Sequence, residues 1–158
     1  MRLHGDAIRP RALLLAGLCG LAPASAQAVC EVRNVVGLSF LNYTSTSTLP
    51  LDAMGSITFR CTIIQLTPVT IDLSQGSSNS YTTRLMNGPS SSKLAYNLYL
   101  DPSRLVVWGN NTAGTSRYGP VLPLLGLDIT VPIHGRVPAQ QSVAAGAYSD
   151  TLVVTVNF

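Results

Sequence analysis

From Val29 onward the chain shows no helical period. Short runs alternate apolar and polar residues, separated by clusters of Gly, Ser, Asn and Pro, the pattern of half-buried strands joined by turns. Val36, Leu38 and Phe40 share one face of a first strand. Ile57, Phe59, Cys61 and Ile63 share one face of a second, with Thr58, Arg60 and Thr62 outward. Val69, Ile71 and Leu73 alternate with Thr70 and Asp72; Leu94, Tyr96, Leu98 and Leu100 with Ala95, Asn97 and Tyr99; Ile129, Val131 and Ile133 with Thr130, Pro132 and His134. In the last run Leu152, Val154, Val156 and Phe158 point one way, and Val153, Thr155 and Asn157 the other. The stretches 42–50, 74–80, 87–92 and 109–116 read as loops. Six such runs over about 130 residues predict an all-β, Ig-like two-sheet sandwich rather than a closed barrel.

The segment before these runs has another character. Arg2, Arg9 and Arg11 precede the apolar stretch 12–22, followed by Pro23 and small residues up to Ala28. This predicts a secretory signal peptide over 1–28 and a single exported domain over 29–158. The apolar stretch is about half the ~20 residues that a bilayer span requires, so no transmembrane anchor is expected. Of 10 basic and 7 acidic residues, three Arg and Asp6 belong to the signal. The remaining charge is nearly balanced and unclustered, which excludes a polyelectrolyte-like disordered chain and a nucleic-acid-binding surface. Cys19 also falls within the signal. The two cysteines left, Cys30 and Cys61, predict a disulfide in an oxidising compartment.

Candidate chemistry is sparse. Beyond the signal the sole His is His134, on the outward face of its strand, and there is no G-x-S-x-G nucleophile elbow. No clustered Cys, His and carboxylate ligands suggest zinc, and no Gly-rich motif suggests phosphate. Neither an enzyme nor a cofactor is expected, and the six mature Arg, scattered one per segment, read as solvated. The segment 120–127 is apolar throughout, with two Pro and a Gly. Val121, Leu122, Leu124 and Leu125 would form an adhesive loop if exposed; the competing reading is a connection tucked over an open core edge.

One set of motifs resembles a known family. Cys30 and Cys61 bracket a first strand pair; then come Arg84-Leu85-Met86, the run 94–101, Trp108-Gly109, Ile133-His134-Gly135-Arg136-Val137-Pro138 and a Gln at 140 or 141. Gly146-Ala147-Tyr148-Ser149-Asp150-Thr151 leads into the last strand. In order and spacing these resemble the spore coat protein U domain, found in subunits of archaic chaperone–usher pili; His134 stands where an aromatic residue is more usual. The resemblance implies an incomplete sandwich that lacks its seventh strand. A periplasmic pilus chaperone would fill the open groove, and a strand from a neighbouring pilus subunit would replace it, with an outer-membrane usher as the third partner. Leu152, Val154, Val156 and Phe158 would wall that groove, and the Phe158 carboxylate would anchor basic chaperone residues. The protein would pass through the periplasm to the cell surface. Because only Val29 separates the expected signal from Cys30, no donor strand precedes the domain, which implies a tip or initiating subunit. The alternative is a self-sufficient secreted β-sandwich that binds carbohydrate or a surface.

Overall fold

A computed structural model describes residues 30–62, 68–124 and 126–158. The expected signal peptide, Ile63 and Leu125 lie outside the described residues. Among these residues are eight strands: β1 (Cys30–Val36), β2 (Leu51–Cys61), β3 (Val69–Leu73), β4 (Arg84–Asn87), β5 (Lys93–Tyr99), β6 (Tyr118–Val121), β7 (Asp128–Val137) and β8 (Val154–Asn157). They form a five-stranded sheet, ordered β1-β2-β7-β5-β4, and a three-stranded sheet, ordered β6-β3-β8. Every pairing is antiparallel.

Alternation sets the inner faces. Ile57 and Phe59 of β2, Val131 and Ile133 of β7, and Leu94, Tyr96 and Leu98 of β5 pack against Val69, Ile71 and Leu73 of β3. The β2–β7 pair is the backbone of the larger sheet, in unbroken register from Leu51↔Val137 to Arg60↔Asp128. Its solvent face carries Arg60–Asp128 at 2.7 Å and Arg136–Asp52 at 2.8 Å. The Cys30–Cys61 disulfide is present and ties β1 to β2 at the end of their ladder.

Several expectations need correction. Two strands, β4 and β6, are additional to the six runs; each has only four residues, too short for alternation to announce, and β6 carries Gly119-Pro120 inside it. The first strand is Cys30–Val36, and its anticipated apolar face of Val36, Leu38 and Phe40 does not lie on one strand. After Val36 the chain leaves the ladder and crosses the inner face of the larger sheet, where β2 and β7 carry Gly55 and Gly135. A Cβ on Gly135 would stand 2.2 Å from Leu38 Cδ2 and 2.7 Å from Phe40 Cζ, so this crossing needs a bare backbone beneath it.

His134 keeps the outward face of its strand, opposite Met54, but is buried rather than open to solvent. The turn after β5 folds over it: the Asp101 carboxylate accepts from the backbone N–H of Leu105 and Val106, and Arg104 Nε donates to Gly135 O at 3.4 Å. Asn97 is buried as well, and Arg84, expected to be solvated, is 0% exposed. The Arg84 guanidinium donates to Ser74 O (3.0 and 2.9 Å), Trp108 O (2.7 Å) and Asn97 Oδ1 (2.6 Å), and lies 5.3 Å from the Tyr81 ring centroid. Burial lowers its pKa from the ordinary guanidinium value. A buried cation persists here because carbonyl and amide oxygens replace its water.

Candidate functional site

Five strands face three, so part of the larger sheet's inner surface is left uncovered. The space above it is a groove of about 840 Å³, floored by Leu94, Tyr96, Leu98 and Ile133. Leu152 and Val154 flank one side, residues 37–43 the other, and residues 143–151 run past one end.

Both flanks have unpaired backbone. β8 bonds β3 alone. Ser74 N donates to Val153 O at 3.0 Å, and the register continues through Asp72↔Thr155 to Thr70↔Asn157. In an antiparallel ladder such pairs alternate, so the N–H and C=O groups of Leu152, Val154 and Val156 point away from β3. On the opposite flank, residues 37–43 belong to no ladder. Two facing rows of free donors and acceptors above an apolar floor are what an extended segment can satisfy by β-strand addition.

The end of the groove is built by hydrogen bonds. Ser149 exchanges both backbone bonds with Asn87 (2.7 and 3.0 Å), closing the β4 edge before the chain crosses to the other sheet. Tyr148 Oη donates to Ala144 O at 2.7 Å and lies 2.8 Å from Ser92 Oγ. Gln141 imitates a strand: its amide accepts from Ala95 N (2.7 Å) and donates to Ala95 O (2.9 Å). Asp150 Oδ2 accepts from Tyr96 Oη at 2.7 Å, and Oδ1 accepts from Ser77 N at 3.0 Å and Thr151 N at 2.9 Å. Burial first, and then this carboxylate, push the Tyr96 phenol far above its ordinary value, so it remains a donor.

Of the four residues expected to wall the groove, Leu152, Val154 and Val156 pack partly buried against the core; Leu152 and Val154 line the groove directly. Phe158 lies one residue past β8 and is 50% exposed. Among the loop residues, Val121 ends β6, while Leu122 and Leu124 are 65% and 68% exposed. What the sequence reading missed is Asp150 and Tyr148 at the groove's end, and the glycines beneath its border. Both side chains lie within the 146–151 motif, so the signal was present without a role attached. Among the described residues no group of three or more His, Cys, Asp or Glu could hold a metal, and no helix is long and apolar enough to cross a membrane.

Fold and groove together define an incomplete Ig-like sandwich. The Spore Coat Protein U domain model matches residues 18–155, and the chain belongs to that family. Protein U of Myxococcus xanthus is 34% identical over 150 residues, covering 85% of this chain and 80% of that protein. The crystal structure of the CsuC-CsuE chaperone-tip adhesion subunit pre-assembly complex, from archaic chaperone-usher Csu pili of Acinetobacter baumannii, is similar in fold. Its TM-score is 0.54 at 20% identity, over 84% of this chain and 40% of the matched chain.

Proposed function

We propose that this protein is a structural subunit of a chaperone–usher surface fibre, and that the groove beside β8 accepts a strand from a partner. The observation that carries the reading is the pair of unpaired flanks, Leu152 to Val156 and 37–43, over an apolar floor. A periplasmic chaperone would supply the strand during export, a neighbouring subunit would replace it in the fibre, and an outer-membrane usher would be the site of exchange. Family membership and the fold shared with a Csu chaperone–subunit complex support this assignment. An incomplete sandwich of this kind has a structural role and needs no catalytic centre.

The decisive experiment is export of the chain with and without a pilus chaperone, followed by unfolding with and without a synthetic strand of alternating apolar residues. The groove reading expects the lone chain to fold but to unfold at low denaturant, and the strand to raise its midpoint sharply. A monomer that unfolds cooperatively at high denaturant, and whose midpoint the strand leaves unchanged, defeats it.

We also propose a tip or initiating position in the fibre; immunogold labelling should then mark fibre ends, whereas labelling along the shaft contradicts it. A second role, surface adhesion, is favoured by the exposure of Leu122 and Leu124. Leu122→Ser with Leu124→Ser should reduce adsorption to an apolar surface and leave strand binding intact.

A further inference from the structure

The groove is electrically lopsided. Of the described residues that line it, Asp150 alone carries a formal charge. None of the ion pairs among the described residues engages this carboxylate. The nearby guanidinium of Arg84 spends its hydrogen bonds on Ser74 O, Trp108 O and Asn97 Oδ1 instead. Nor can Asp150 turn away, since Tyr96 Oη, Ser77 N and Thr151 N hold both of its oxygens. A carboxylate offers about four acceptor sites, and three are filled. It stands two residues before Leu152, at the start of the flank that an incoming strand would pair with.

Resting on the strand-acceptor reading above, we infer that the groove selects its occupant by charge at one end. The occupant that fits is an extended segment, apolar at alternate positions, that sets a Lys or Arg, and not a carboxylate, opposite Asp150. Covering the groove removes water from around this charge. A cation there gains from the lower dielectric, and an anion meets a fixed like charge to which no cation is directly bonded; Arg84 acts on it only across a distance. The apolar floor provides affinity for any alternating strand; Asp150 distinguishes among them and fixes which end enters where.

The test uses the full chain and synthetic strands with acetylated and amidated ends. Each carries a single Lys, Gln or Glu, first at one end and then at the other, and binding is followed by fluorescence titration. At one end the expected order is Lys over Gln over Glu, with Lys and Glu differing by about fivefold to tenfold at low salt. That end reports the direction of the occupant relative to β8. The preference should shrink at high salt and disappear in Asp150→Asn, which keeps an oxygen for the Ser77 and Thr151 N–H groups. Equal affinity for all three strands at both ends, or a preference that survives in Asp150→Asn, overturns charge selection and leaves strand acceptance standing. Absence of binding by every strand brings down strand acceptance itself. The salt titration reads the same charge without substitution, so a poorly folding variant does not remove the test.

Discussion

Around Arg84 and Trp108 the two sheets are joined by the protein's own backbone. Trp108 N donates to Leu98 O in one sheet, Trp108 Nε1 donates to Ile71 O in the other, and Leu73 N donates to Gly109 O. Across the groove no such segment lies among the described residues: β8 presents free backbone groups, and residues 37–43 face it without pairing. Both regions confront the same problem, polar groups at the margin of an apolar core. One solves it internally with a buried Arg, a buried Trp and a short crossing segment, and the other leaves it for a partner. The contrast teaches that incompleteness is confined to one flank, so the rest of the sandwich can hold its shape while the groove stays open.

The largest test of that contrast is Arg84→Ala. It would remove a donor from each of Ser74 O, Trp108 O and Asn97 Oδ1 and open a cavity, and should cost about 3–5 kcal/mol in chemical denaturation. The cost should be similar whether or not a strand occupies the groove; a loss that a bound strand cancels would show that the two regions are not separate. Next is Val154→Asp, which puts an unpaired charge on the groove's flank. It should weaken strand binding on the order of a hundredfold in titration while leaving the fluorescence of buried Trp108 unchanged. Gly135→Ala comes third. Its Cβ would collide with Leu38 and Phe40, displacing the 37–43 border at about 1–3 kcal/mol, and hydrogen exchange should quicken there more than at Trp108.

The smallest effect concerns acid. Asp52, Asp101 and Asp128 are all held below the ordinary 3.8, chiefly by the Arg136 hydrogen bond, the Val106 N–H and the Arg60 hydrogen bond respectively. Lowered values in the folded state mean that their stabilisation is complete above about pH 4 and is lost as pH falls through the folded values. Thermal midpoints should therefore be flat from pH 8 to 5 and decline below about 4. None of the three lines the groove, so the decline should appear equally in free and strand-bound protein.

The sequence was most readable where a strand alternates over many residues. The inner faces of β2, β3 and β7 and the disulfide follow from period two and from cysteine parity. It was least readable where tertiary contacts override local pattern. Arg84 reads as a solvated cation because nothing local reveals that Ser74, Asn97 and Trp108 converge on it from distant segments. His134 has the outward position that alternation assigns, and a later turn covers it. Leu38 and Phe40 continue the phase of the first strand, yet two glycines distant in sequence draw the chain across the sheet. The groove's flank was visible as alternation in 152–158, but its openness was implied by the family resemblance and not by the alternation, because an absent neighbour leaves no mark on the residues that would have touched it.

The disulfide also has a mechanical meaning. A pull applied through the chain at Cys30 does not have to peel β1 from its neighbour, because the bond passes the load directly to Cys61. From there it enters β2, whose long ladder with β7 would have to shear along its length rather than open one pair at a time. The covalent link thus routes tension past the most exposed strand of the larger sheet and into its best-supported pair.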